Sequence, residues 1–184
     1  MSHPWPSEPE IALLAPVTTV AQAAAAAAAG AGLVDAGDDS ALVPAIRRAV
    51  SGVRVCAEHE DADLVRDADL AARTGAALIC PGPDAAKAAV RRGVAAGRIL
   101  VQAAPAGIEA AARAGWPVLA DLEGVADLAD SARLAHTEAV AAVCVWLGAS
   151  VLRTRHVAEI RRCADMTESI LGRRPPAWAV RGLA

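Results

Sequence analysis

Short apolar runs alternate with longer helical patterns along most of this chain. Each run has about five residues, and the next begins roughly 20 residues later, as expected for strands that alternate with helices. The segments between the runs place apolar residues at helical spacing and commonly stop at a glycine. The runs predicted to be strands are 11–15, 33–37, 53–57, 77–80, 98–102, 117–121 and 150–153.

This alternation predicts βα units and therefore a parallel sheet covered by helices. So many units in one domain favour an α/β fold of the (β/α) TIM-barrel type over an open, doubly wound sheet. A helix is predicted over 61–73, between the third and fourth runs. No glycine-rich nucleotide-binding loop follows any strand. We expect a flexible, proline-rich N-terminal arm at residues 1–10 and a single barrel domain over residues 11–184.

Composition narrows the function classes. The 184 residues carry a net charge of −3, so the chain has no overall basic field for nucleic acid. Its four cysteines form no C-x-x-C pair and are typical of reduced thiols in a cytoplasmic protein. The uncharged stretch 11–34 is mostly alanine and is interrupted by Pro16 and Gly30, so we expect no membrane association. Tyr, Phe and Asn are absent, and Lys87 is the sole lysine.

The candidate binding residues follow the last predicted strand. In a (β/α) barrel the site lies at the carboxyl ends of the strands, and two arginines there favour an anionic ligand. Arg153, Arg155 and His156 are therefore predicted to form an anion subsite, although a solvated basic loop would show the same pattern. Other loop residues could contact the same ligand, namely Asp35, Asp39 and Ser40.

The sequence gives less support to a metal site or a catalytic nucleophile. Cys56, His59 and Cys80 suit zinc by ligand type, but their spacing matches no closed ligand set. Cys56 and His59 are three residues apart on a strand-to-loop turn, where two side chains rarely face each other. Paired acidic residues such as Asp35 and Asp39 could hold Mg²⁺, but in a βα loop they more often cap helices. We therefore predict no metal site.

Several segments resemble the dihydropteroate synthase family. Trp146-Leu-Gly-Ala, followed by Val151-Leu-Arg-Thr-Arg-His-Val157, is similar to the last strand of these enzymes. Gly115-Trp-Pro-Val-Leu119 resembles the penultimate strand, and the tail 165–184 resembles second-type paralogues from GC-rich bacteria. The resemblance implies an eight-stranded barrel in which about one βα unit is missing between Cys80 and Arg98. Such a barrel would have seven strands or be incompletely closed.

The family joins p-aminobenzoate to a dihydropterin pyrophosphate with the help of Mg²⁺, and most of the residues it uses are replaced here. Arg153 alone keeps the family residue. We therefore expect no catalytic residues and no retained cofactor. The family's polar positions, in chain order, fall on Leu13, Val17, Cys56, Cys80 and Pro81, Gln102, and Val125 or a neighbour.

The resemblance thus implies a degenerate, cytoplasmic dihydropteroate-synthase-like protein, a pseudoenzyme in or near folate biosynthesis. The family's dimer uses late barrel helices, so the expected partner is a second copy or a full-length synthase. One alternative is a module that binds a phosphate-like or pterin-like small molecule through Arg153 and Arg155. Others are an active transferase of the family and a different enzyme built on Cys56, Glu58, His59 and Cys80. The sequence leaves open whether the chain is an enzyme.

Overall fold

The computed structural model describes residues 10–123 and 130–175, which form a ring of parallel strands surrounded by helices. The strands are β1 (Ala12–Pro16), β2 (Leu33–Asp35), β3 (Arg54–Cys56), β4 (Leu64–Val65), β5 (Ala77–Pro81), β6 (Ile99–Gln102), β7 (Val118–Asp121) and β8 (Val151–Arg153). The helices are α1 (Val20–Ala28), α2 (Leu42–Ala49), α3 (Ala68–Thr74), α4 (Pro83–Arg91), α5 (Pro105–Arg113), α6 (Asp130–Trp146) and α7 (Val157–Ile170). A short 3₁₀ turn at Ala96–Arg98 precedes β6.

The sheet is closed. Each strand pairs in parallel with the next one along the chain, and β1 also pairs with β8. In that closing pair Ala12 lies opposite Val151, while on the other edge of β1 Pro16 lies opposite Asp35. This arrangement confirms the predicted TIM-type barrel. The prediction of a seven-stranded or incompletely closed barrel is wrong, because eight strands complete the ring.

The strand that the sequence pattern conceals is β4, which has two residues. It lies inside the run 61–73 that the pattern predicts to be one helix, because Leu64, Ala68 and Ala71 recur at helical spacing. The chain passes from β3 to β4 through residues 57–63 without an intervening helix. The shortened unit is therefore the third one, and no strand is missing between Cys80 and Arg98.

Two layers of buried side chains hold the barrel together. Alternate strand residues point inward and fill the ring with leucines, each at most 1% exposed, namely Leu14, Leu33, Leu64, Leu100 and Leu119. The other layer lies between the strands and the helices. There Ala23 and Ala26 of α1 are buried, since alanine favours the helix and lets it approach the sheet closely.

Local sequence signals set the ends of several helices. The Thr19 hydroxyl accepts a hydrogen bond from the Gln22 backbone N–H at 3.1 Å and so caps α1. Asp67 caps α3 in the same way through the Leu70 N–H. That helix ends at Gly75, whose φ of 82° is a left-handed conformation that favours glycine. Pro83 and Pro105 open α4 and α5, where a missing N–H costs no hydrogen bond.

Two expectations concern the outside of the domain. The predicted arm at residues 1–10 lies outside the described residues, apart from Glu10, which is exposed. Among the helices that the structure describes, none combines the length and apolar character needed to cross a membrane.

Candidate functional site at the barrel mouth

Four charged side chains meet at the carboxyl ends of the strands. They come from different strands: Asp35 ends β2, Arg66 follows β4, Asp121 ends β7 and Arg153 ends β8. Arg66 Nη2 lies 2.7 Å from Asp35 Oδ2, and Arg153 Nε donates to the same oxygen at 3.0 Å. The barrel therefore brings together residues up to 118 positions apart in the sequence.

Asp35 is the centre of this cluster. Its side chain is 1% exposed, and its other oxygen accepts a hydrogen bond from the Gly37 N–H at 3.1 Å. Burial by itself would raise the pKa of this carboxyl. Its hydrogen bonds and the positive charge of Arg66 outweigh that effect and hold the pKa below its ordinary value, so Asp35 is ionised at neutral pH.

Arg153 lies at the mouth, as the sequence predicts for a binding residue, but it already has two carboxylate partners. Besides Asp35, its Nη1 lies 3.3 Å from Asp121 Oδ2 and 3.4 Å from Asp121 Oδ1. Its side chain is 23% exposed. The two carboxylates and the two arginines of this cluster balance in charge, so Arg153 offers an incoming anion little net attraction.

The other two residues of the predicted anion subsite do not join Arg153. Arg155 points to the rim, where its side chain is 67% exposed and pairs with Glu123. Its backbone N–H donates to the same carboxylate at 2.7 Å, which ties the end of β8 to the segment after β7. The His156 N–H donates to the Thr154 hydroxyl at 3.0 Å, and the residue stands just before α7.

Of the predicted loop contacts, only Asp35 reaches the cluster. Asp39 is exposed and accepts a hydrogen bond from the Ala41 N–H at 3.1 Å, which shapes its own turn. Ser40 is also exposed in this loop. These two residues therefore organise the approach to α2, and the structure shows no contact between them and the arginines.

The cysteines considered for zinc or nucleophilic chemistry are kept apart by the sheet. Cys56 is fully buried inside the barrel, whereas Cys80 belongs to the layer between the strands and the helices. Burial raises the pKa of the Cys56 thiol to about 12, so it is a poor nucleophile at neutral pH. His59 Nδ1 accepts the Asp61 N–H at 3.0 Å. In the described part of the chain no three His, Cys, Asp or Glu side chains are grouped to hold a metal ion.

Arg66 is the functional candidate that sequence reasoning missed. It follows the two-residue β4 and therefore lies within the predicted helix. Its side chain is 40% exposed, and its backbone N–H donates to the Glu58 carboxylate, which also accepts the Asp67 N–H at 3.2 Å. The signal that could have found it is the strand count, since a TIM barrel needs an eighth strand and Leu64-Val65 is the apolar pair available for it.

A groove of about 370 Å³ lies beside the mouth, outside the barrel. It runs between α1 and the start of α7, and alanines such as Ala25 and Ala29 form much of its wall. Of the three predicted anion-binding residues, Arg155 lines this groove, together with Gln22 and Glu159. Its polar edge carries charges of both signs, so it shows no preference for an anion.

We compared the chain with known protein families, sequences and structures. No family model matches the chain. Inactive dihydropteroate synthase 2 of Mycobacterium tuberculosis is 43% identical over 79 residues, and the match covers 38% of this chain and 24% of that protein. Its Mycobacterium bovis counterpart gives the same values. The chain thus spans about a quarter of the length of the curated relatives it matches.

Solved structures share the fold over nearly the whole chain. Mycobacterium tuberculosis Rv1207 has a TM-score of 0.75 at 24% identity, covering 92% of this chain and 96% of that one. Yersinia pestis dihydropteroate synthase has a TM-score of 0.75 at 15% identity, covering 89% and 93%. The chain therefore shares the fold of dihydropteroate synthases, and 38% of it is similar in sequence to an inactive dihydropteroate synthase 2. Dihydropteroate synthase from Xanthomonas albilineans, in complex with 7,8-dihydropteroate, has a TM-score of 0.71 at 18% identity, covering 90% of this chain and 94% of that one.

The strand count corrects one of the positions that the family resemblance implies. Cys80 and Pro81 end the fifth strand, so they cannot take the place of the family's fourth-strand Asn-Asp pair. The residues that follow the fourth strand are Arg66 and Asp67. A cation therefore stands where the resemblance implies an amide, and its guanidinium donates to the carboxylate of Asp35. Asp67 keeps the acid of the pair, so the expectation that Arg153 alone keeps the family residue is wrong, although the Asp67 carboxylate here caps α3.

At the other family positions that the structure describes, the residues the resemblance implies are replaced. Leu13 and Val17 are buried in the layer behind the strands, and Cys56 occupies the third-strand position inside the barrel. Gln102 ends β6 and is exposed. The position predicted for the family's lysine, Val125 or a neighbour, lies outside the described residues.

Proposed function

We propose that this chain is a non-catalytic dihydropteroate-synthase-like protein that acts in the cytoplasm by binding another protein, a full-length synthase of folate biosynthesis. The observation that carries the proposal is the charge cluster at the mouth. Arg66 and Arg153 are engaged by Asp35 and Asp121, so the cations at this end of the barrel are already neutralised.

The chemistry of the parent family explains why this matters. Displacing pyrophosphate requires cations placed where negative charge develops, and a polar pocket must hold the pterin. The third-strand position is a buried thiol at Cys56, and the position after the fourth strand is Arg66. Losing one preorganised partner typically costs about 10²–10³ in rate, and several are replaced together here. The similarity to a relative named inactive dihydropteroate synthase 2 supports the same conclusion.

The outer surface of the last two helices supports a role in binding a partner. Val143 and Trp146 lie three residues apart on α6 and are 52% and 60% exposed. Met166 and Ile170 lie four residues apart on α7 and are 58% and 68% exposed. Residues with these spacings share a helix face, and α6 packs directly on α7. We call these four side chains the late-helix patch.

Exposed apolar side chains of this size mark protein interfaces when they form a contiguous patch. The C-terminal ends of α6 and α7 lie close together. Arg173, just beyond α7, places its Nη1 3.5 Å from the carbonyl oxygen of Val145 in the last turn of α6. The patch lies on the late barrel helices, which is where the resemblance implies that the family forms its dimer. We therefore favour a full-length synthase as the partner, with a second copy of this chain as the alternative.

The test is co-expression of the chain with a full-length synthase from the same organism, followed by size-exclusion chromatography with light scattering. We expect a stable complex with the wild-type chain and its loss in a Trp146→Ser, Ile170→Ser double variant. Val90→Ser is the matched control, because Val90 is 40% exposed on α4, away from the patch, and its replacement should leave the complex intact. A folded wild-type chain that stays monomeric and binds no synthase would contradict the proposal.

A second measurement separates the alternatives. The purified chain, supplied with p-aminobenzoate, a dihydropterin pyrophosphate and Mg²⁺, should form no dihydropteroate above the uncatalysed rate. Measurable turnover would refute the non-catalytic role and support an active transferase. Sedimentation at micromolar concentration would show whether the chain instead pairs with itself through the late-helix patch.

A further inference from the structure

The environment of the Asp35 carboxylate resembles that of a bound anion. Arg66 Nη2 at 2.7 Å and Arg153 Nε at 3.0 Å approach one oxygen, and the Gly37 N–H at 3.1 Å approaches the other. These donors come from three separate segments of the chain. Oxyanions such as carboxylate and phosphate are bound in proteins by the same kinds of groups.

We infer that Arg66 and Arg153 form an anion site whose occupant is the chain's own Asp35 carboxylate, an autoinhibitory contact that excludes external oxyanions. The inference does not depend on the proposed protein partner. Asp35 is 1% exposed, whereas the Arg66 side chain is 40% exposed. The internal anion therefore lies beneath the arginine that an external ligand would meet first.

The charges around the site explain why an external anion does not compete. Asp35 and Asp121 balance Arg66 and Arg153 within the cluster. The carboxylate of Glu58 also lies close to Arg66, through its hydrogen bond from the Arg66 backbone N–H, and adds a further negative charge. An oxyanion arriving at the mouth would have to displace a carboxylate that is already held by three donors.

Removing the charge of Asp35 should release the two arginines. Asn is the best replacement, because it has nearly the same shape and keeps an oxygen that can accept the Gly37 N–H. Its amide donates hydrogen bonds, so it cannot neutralise either guanidinium. Arg66 and Arg153 would then face the mouth with Asp121 as the only carboxylate left in the four-residue cluster.

The experiment measures binding of inorganic pyrophosphate at low ionic strength by isothermal titration calorimetry. We expect the Asp35→Asn variant to bind pyrophosphate at least about tenfold more tightly than the wild-type chain does. A gain of this size is equivalent to one additional charge-assisted contact. Adding Arg153→Met to that variant should abolish the gain. Asp38→Asn removes the same charge from an exposed position in the same loop and should behave as wild type. Equal affinity of the Asp35→Asn and Asp38→Asn variants, with both folded, would overturn the inference.

A measurement on the wild-type chain keeps the inference testable if the Asp35→Asn variant fails to fold. The Arg153 Nε–H donates to a buried oxygen, so its NMR signal should exchange slowly with solvent. That signal should not move when pyrophosphate is added to millimolar concentration. A saturable shift would show that external anions reach Arg153 while Asp35 is present, and the inference would then be wrong.

Discussion

The most specific stability prediction concerns the connection from β3 to β4, where a loop of seven residues replaces the usual helix. Val55 lies in the middle of β3, and β4 begins too late to place a carbonyl opposite its N–H. Asp63 supplies the acceptor instead, with its Oδ2 at 2.9 Å from the Val55 nitrogen. Its other oxygen lies 2.9 Å from Arg47 Nη2 on α2. One carboxylate thus replaces a strand partner and also ties the loop to a helix.

The Asp63→Ala variant should lose both contacts. Leaving the buried Val55 N–H without an acceptor costs about 1–3 kcal/mol. The ion pair with Arg47 adds about 1 kcal/mol or less, because both side chains are partly exposed, at 45% and 30%. We therefore expect a loss of about 1–4 kcal/mol in the free energy of unfolding. In a chain of this size each kcal/mol lowers Tm by roughly 2–4 °C, so Tm should fall by roughly 2–16 °C.

Urea unfolding followed by circular dichroism measures the loss of stability. Three further variants show how much of that loss comes from each contact of Asp63. Asp63→Asn keeps an acceptor oxygen and should recover most of the stability. Arg47→Ala removes only the ion pair and should cost about 1 kcal/mol or less. Asp61→Ala, at an exposed position in the same loop, should be nearly neutral. The explanation fails if Arg47→Ala is as damaging as Asp63→Ala, or if Asp63→Ala is itself neutral.

Two further predictions concern the core and the pH dependence. Leu100→Ala should lower the free energy of unfolding by about 2–5 kcal/mol, because Leu100 is fully buried inside the ring, whereas Val90→Ala on the surface should change it by about 0.5 kcal/mol or less. Burial raises the pKa of Glu168 above its ordinary value of 4.5, so its ionised form destabilises the fold at neutral pH. Glu168→Gln should therefore be more stable than wild type at neutral pH in urea titrations. That advantage should shrink as the pH falls through the raised pKa toward 4.5, and an advantage that grows on acidification would contradict this reasoning.

The local sequence pattern predicts much of the fold, because each βα unit is specified by a short continuous stretch of residues. Apolar runs bounded by glycine or proline mark seven of the eight strands, and caps such as Thr19 and Asp67 mark helix starts. The remaining strand, β4, has only two residues and is too short to show any hydrophobic periodicity. Its apolar side chains also continue the spacing of the following helix. The pattern therefore predicts one long helix, and Arg66 is hidden within it.

The sequence by itself determined the barrel class, the order of its elements except β4, the family resemblance and the position of Arg153 at the end of the last strand. Only the tertiary structure decided what Arg153 contacts, since Asp35 lies 118 residues away and reaches it only when the sheet closes. Closure likewise placed Cys56 inside the ring and Cys80 outside it. Strands of a parallel barrel are apolar on both faces, so alternation along the sequence does not reveal which side chains point inward.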